Sequence, residues 1–107
     1  YAGETFALRF TFPPEYPLES PIVVFVNDGD SVQIPQHPHI YTNGHICLSI
    51  LYDQWSPALT AGSVTISVQS MLASSPGKEI PEDNERYVRG CKSNPKLTTW
   101  VFHDDTC

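Results

Sequence analysis

The chain has 107 residues, 40% of them hydrophobic and 11% aromatic, enough for one domain with a single modest core. Twelve acidic against six basic side chains leave a net charge of −6, which argues against a nucleic-acid binder or a membrane-surface binder, both of which need basic clusters. There is no apolar run of membrane-spanning length. The three cysteines, at 47, 91 and 107, form no CxxC pair, so a reducing cytoplasmic or nuclear setting is expected, with at least one thiol free to react.

In chain order, Thr5–Phe12 alternates, with Phe6, Leu8, Phe10 and Phe12 on one face, which predicts a half-buried strand. Pro13, Pro14, Pro17 and Pro21 then impose an extended loop, because each removes an N–H donor and restricts φ. Ile22–Val26 is uniformly apolar and predicts a second strand buried on both faces. Asn27, Asp28, Gly29 and Asp30 supply a turn. Residues 32–59 show little periodicity, and a loop of that length inside a compact domain is expected to be functional.

From Thr60 the period becomes helical. Val64, Val68, Met71 and Leu72 share a stripe that belongs to the core, Thr60 or Ser63 can cap its start, and Pro76-Gly77 ends it. A loop over Pro81–Asn84 follows. Asp83 is then expected to cap a short helix running to about Cys91, ahead of Asn94-Pro95. The tail Trp100–Cys107 carries aromatic residues without a period.

Chemistry concentrates between residues 37 and 57. His37-Pro38-His39 precedes Asn43-Gly44-His45-Ile46-Cys47-Leu48, and Trp55-Ser56-Pro57 follows. A lone cysteine is most often a small buried hydrophobe. Here Asn43-Gly44 demands a tight turn, which is expected to leave the thiol at a loop edge where it can be reached. His45, two residues away, is placed to favour the thiolate when charged. Two other readings stay open on these residues: a zinc site from His37, His39, His45 and Cys47, and a papain-like hydrolase, whose usual signatures around the cysteine are absent.

The same block resembles the active site of ubiquitin-conjugating enzymes, which carry ubiquitin as a thioester on the cysteine. The resemblance extends to Phe12-Pro13-Pro14-Glu15-Tyr16-Pro17-Leu18-Glu19-Ser20-Pro21, similar to the family's proline-rich loop. It also takes in Gln54-Trp55-Ser56-Pro57-Ala58-Leu59, similar to its second exposed loop. The family's usual His-Pro-Asn tripeptide is here His-Pro-His. With Tyr87-Val88-Arg89-Gly90-Cys91 and the ending His103-Asp104-Asp105-Thr106-Cys107, that departure resembles the W-type branch.

The resemblance implies an α+β ubiquitin-conjugating fold over residues 1–107, an antiparallel meander flanked by helices. The opening Tyr1–Glu4 runs straight into a strand, and the family's first helix and first strand are expected to be missing before it. Cys47 is implied as the acyl carrier and His39 as a stabiliser of the oxyanion, or else a loop-packing residue. Asp83 is implied as a group that orients the incoming amine, while His37 is expected to be structural. Leu18, Pro57 and Ala58 are implied as a ligase-binding surface, with Trp55 as an anchor beneath it.

Implied partners are ubiquitin, the ubiquitin-activating enzyme, RING or U-box ligases and protein substrates with free N-termini, with no nucleic acid and no membrane. No metal or organic cofactor is implied. A rival from another class is a catalytically impaired fragment acting as a binding module.

Overall fold

A computed structural model describes residues 1, 3–29, 32–74, 77–91 and 94–97. Strand β1 (Ala7–Thr11) pairs antiparallel with β2 (Ile22–Val26), Leu8 opposite Phe25 and Phe10 opposite Val23. The meander then continues through isolated bridges. Phe25 N–H donates to the Gly44 carbonyl at 2.9 Å, Val24 faces His45, and Ile46 faces Ile40.

The alternation of the first strand holds for Phe6, Leu8 and Phe10, which pack against the core. Phe12 departs from it. The strand ends at Thr11 as the chain turns into the prolines, and Phe12 is left 50% exposed, stacked on Phe10 and edge-on to Tyr16. The second strand is as apolar as it read, with Val23, Val24 and Phe25 all buried.

Helix α1 (Ala61–Ala73) starts at Thr60, whose hydroxyl accepts from Ser63 N–H at 3.1 Å; Thr60, rather than Ser63, is therefore the cap. Its stripe of Val64, Val68 and Met71 is buried against Val23, Phe25, Ile40, Ile46, Leu48 and Leu51. Helix α2 (Asn84–Gly90) stops one residue before Cys91. Two corrections concern the loops. The aperiodic stretch 32–59, expected as one long loop, also builds the interior: Ile40, Tyr41, Ile46, Cys47, Leu48 and Leu51 are core residues, and Ser49–Leu51 forms a 3-10 turn. Asp83 occupies the cap position of α2, but its side chain caps nothing. The expectations for Pro76 and for Trp100–Cys107 lie outside the described residues.

Candidate active site

The segment that carries the thiol is shaped by one glycine. Gly44 has φ +93, and a Cβ there would stand 2.0 Å from the Phe25 carbonyl oxygen, so no side chain fits without moving backbone. Gly44 N–H donates to the Tyr41 carbonyl, Tyr41 N–H to the His45 carbonyl, and His45 N–H to Asn43 Oδ1. Two residues later Cys47 N–H donates to the His39 carbonyl at 2.7 Å, which holds the cysteine against the His-Pro-His tripeptide through the main chain.

His37 is structural, as expected. Its Nδ1 accepts from His39 N–H at 2.9 Å, and its Nε2 lies 3.0 Å from the Met71 carbonyl. A backbone N–H can only donate and a carbonyl can only accept, so the ring is neutral with its proton on Nε2. Both nitrogens are thereby committed to backbone, tying the tripeptide to α1 and taking His37 out of any zinc site. Among the described residues no group of three or more His, Cys, Asp or Glu side chains is gathered in a way that could hold a metal. The His39 ring is buried, edge-on to that of His37 with centroids 5.1 Å apart.

The thiol itself is where the structure corrects the sequence reading. Cys47 is 0% exposed, not at a reachable loop edge. The tight turn at Gly44 does exist, but it folds the chain back onto β2 and delivers Cys47 into the interior. His45 is buried too, and its Nδ1 lies 2.8 Å from the Tyr87 hydroxyl.

Tyrosines surround this interior position. Tyr41 stacks on Tyr87 with centroids 3.8 Å apart and 14° between planes, and its hydroxyl donates to both oxygens of Asp83 at 3.1 and 3.2 Å. Tyr52 donates to the Ile46 carbonyl at 2.7 Å. Burial, reinforced by the Asp83 carboxylate, holds the Tyr41 phenol well above its ordinary range, and burial does the same for Tyr52. A charge on Cys47 acts on both phenols, which puts the thiol among them. Asp83, expected from sequence as an amine-orienting group, is thus brought to the site through Tyr41. Its neighbour Asn84 accepts from Thr42 N–H and donates to the Thr42 hydroxyl. Sequence reasoning missed Tyr41 and Tyr52, since nothing in their spacing separates them from ordinary core aromatics.

The second region lies on exposed loops. Leu18 is 77% exposed, and Pro57 and Ala58 also face solvent. The two loops meet through Trp55, whose indole N–H donates to the Pro17 carbonyl at 2.9 Å while its ring packs against the core and near Tyr16. Trp55 is therefore the anchor beneath the pair, and the apolar tips project beyond it.

The family model described as ubiquitin-conjugating enzyme matches residues 1–102. "Ubiquitin-conjugating enzyme 15" of Arabidopsis thaliana is 59% identical to the chain, over 98% of the chain and 63% of the relative. "Ubiquitin-conjugating enzyme E2 W" of Caenorhabditis elegans is 58% identical, over 99% of the chain and 67% of the relative. The chain thus spans a little under two thirds of the length of the first of these. The crystal structure of the ubiquitin-conjugating enzyme E2 UbcA1 from Agrocybe aegerita superposes with a TM-score of 0.82 and 52% identity, covering 88% of this chain and 66% of that one. Such likeness over nearly every residue, with the framed cysteine and both loops included, means that the chain belongs to the ubiquitin-conjugating enzyme family, on its W-type branch.

Proposed function

We propose that the chain works as a ubiquitin-conjugating transferase with Cys47 as its acyl carrier. The observation that supports this most is the placement of Cys47, pinned by its own N–H to the His39 carbonyl at the end of a glycine-dependent turn. Cys47 sulfur attacks the thioester carbonyl at the C-terminus of ubiquitin on the activating enzyme. The new C–S bond forms as the old one breaks, and the activating enzyme's thiol is released. In the second step an amine nitrogen attacks the Cys47 thioester, an amide forms, Cys47 leaves as thiolate, and the amine's proton passes to solvent.

The acceptor we propose is an α-amine, in keeping with the branch. With unperturbed pKa values near 7.7–8.0 for an α-amine and 10.4 for lysine, roughly a quarter of α-amines but only about one lysine in a thousand are neutral at pH 7.4. That difference relieves the enzyme of roughly three kcal/mol of deprotonation work. His39 in place of the family's asparagine can still donate a hydrogen bond to the oxyanion, and Asp83 orients the incoming amine. Leu18, Pro57 and Ala58 offer a RING or U-box ligase a small apolar surface of the weak, transient class. A reactive carrier thiol suits the reducing cytoplasm or nucleus.

Incubation with activating enzyme, ubiquitin and ATP, followed by a non-reducing gel, tests the first step. A reductant-labile adduct is expected, replaced by a reductant-resistant oxyester in Cys47→Ser and absent in Cys47→Ala. An adduct that persists in Cys47→Ala overturns the assignment; no adduct at all favours the binding-module reading. For the second step, a charged chain that discharges to a peptide with a free α-amine and spares the Nα-acetylated peptide with lysines supports the acceptor. Efficient discharge to free lysine removes it.

A further inference from the structure

We propose that Tyr52 is a positioning residue for the transfer: its hydroxyl, together with the His39 carbonyl, clamps the Ile46–Cys47 peptide and so fixes where the sulfur sits. The inference deepens the reading of Cys47 as the acyl carrier and rests on it.

One peptide plane carries both contacts. Cys47 N–H donates to the His39 carbonyl at 2.7 Å, and the Ile46 carbonyl accepts from the Tyr52 hydroxyl, also at 2.7 Å. A peptide unit is rigid, and the Cα of Cys47 lies in its plane. Any tilt of the plane therefore carries the sulfur with it. Held at the nitrogen alone, the unit could pivot about that one bond. Held at both ends, it cannot.

The Ile46 carbonyl needs this donor. Ile46 faces Ile40 across a bridge closed by Tyr41 N–H to the His45 carbonyl and Cys47 N–H to the His39 carbonyl. In an antiparallel pair of this kind the two facing residues do not bond each other. Among the described residues no main-chain N–H reaches the Ile46 carbonyl, and Ile46 is 0% exposed, so water does not serve it either.

Tyr52 supplies the donor from a fixed base. Its N–H donates to the Ser49 carbonyl at 2.9 Å, the Leu51 carbonyl accepts from the buried Ser20 hydroxyl at 2.9 Å, and its ring packs against the core. Burial holds the phenol above its ordinary range, so it stays protonated and donating at neutral pH. A bond that only held the fold together would change stability and nothing else. One that positions the thiol also changes the rate of attack, since a displacement of about 1 Å can cost about a hundredfold.

The test is single-turnover transfer of ubiquitin from its charged activating enzyme to the unaltered chain and to Tyr52→Phe, at a temperature where circular dichroism shows both folded. A third protein carries 4-aminophenylalanine at position 52, whose N–H can replace the lost donor. Tyr52→Phe is expected to lower the limiting rate at least about tenfold, with KM for the charged activating enzyme held within about twofold, and the amino variant to recover most of the rate. Without any ubiquitin, the Cys47 amide of Tyr52→Phe should exchange with deuterium about tenfold faster while the amides of α1 stay as slow as before. An unchanged limiting rate, a loss that only follows the unfolded fraction, a loss that lies in KM, or an unchanged Cys47 amide overturns the clamp while leaving the transferase reading in place. No transfer to the unaltered chain sinks the transferase reading, and the positioning role with it.

Discussion

Around Cys47 the polar side chains turn inward onto one another, whereas the loops at 13–20 and 54–59 leave apolar tips in water. His37, Tyr41, His45, Asp83 and Asn84 each meet a partner from a distant part of the chain, and the region around them is buried. Leu18, Pro57 and Ala58 project from loops that share a single tryptophan hydrogen bond. Hydrogen bonds made away from water specify position and are costly to leave unmade. Exposed apolar tips specify nothing about the fold and are available to a partner. Substitutions in the first region should therefore register as lost stability, and in the second as lost binding with the fold unharmed.

The largest expected effect is that of Gly44→Ala. Backbone strain at positive φ costs about 1–3 kcal/mol, and the added Cβ also meets the carbonyl of Phe25, the residue whose N–H bonds the Gly44 carbonyl in the bridge between β2 and the turn. Urea denaturation should show a loss at or beyond the top of that range; a loss under half a kcal/mol would mean that the turn is not what seats Cys47.

His37→Ala comes next. It orphans the buried His39 N–H, at about 1–3 kcal/mol, while the Met71 carbonyl keeps its bond from the Ser74 hydroxyl. The variant should lose stability and also loosen Cys47, measured as faster alkylation. Stability lost without any change at Cys47 would separate the tripeptide from the thiol.

A smaller effect is expected from alkaline pH. Tyr41 and Tyr52 have raised phenol pKa values in the folded protein, so above about pH 10, the ordinary tyrosine value, the unfolded chain releases protons that the folded chain retains. The native state then binds more protons than the unfolded state, and stability must fall as pH rises through and beyond that value. Melting between pH 8 and 11.5 should show the fall, and Tyr41→Phe should make it shallower. An identical slope in the variant would remove Tyr41 from the account.

The smallest change in stability belongs to Leu18→Ala, within about half a kcal/mol for an exposed position. Its effect should appear instead in ligase-stimulated discharge, which is expected to be lost while charging of Cys47 persists. If both activities fall together with the melting temperature, the contrast between the two regions fails.

Much of the frame was legible in the residues alone. The two strands were announced by alternation and by a run of β-branched residues, and α1 by a stripe with Thr60 ahead of it. Trp55 as an anchor and His37 as a structural ring were anticipated too, because the tryptophan and the tripeptide sit in ordered motifs. The misreadings share a cause. Phe12 kept the period after the strand had ended, Asp83 had the residue type of a cap but a stronger offer from Tyr41, and Asn43-Gly44 announced a turn without saying which way it faces.

By itself the sequence determined the elements, their order and the block of motifs that marks the family, since periodicity, capping and proline placement act over a few neighbouring residues. Only the tertiary structure decided that Cys47 is enclosed, that Asp83 serves Tyr41 and that His45 turns to Tyr87. The Tyr41–Asp83 and His45–Tyr87 contacts each join side chains 42 positions apart. They depend on how α2 docks against the glycine turn, and docking is settled by the shape of the assembled core, to which no local stretch of residues holds the key.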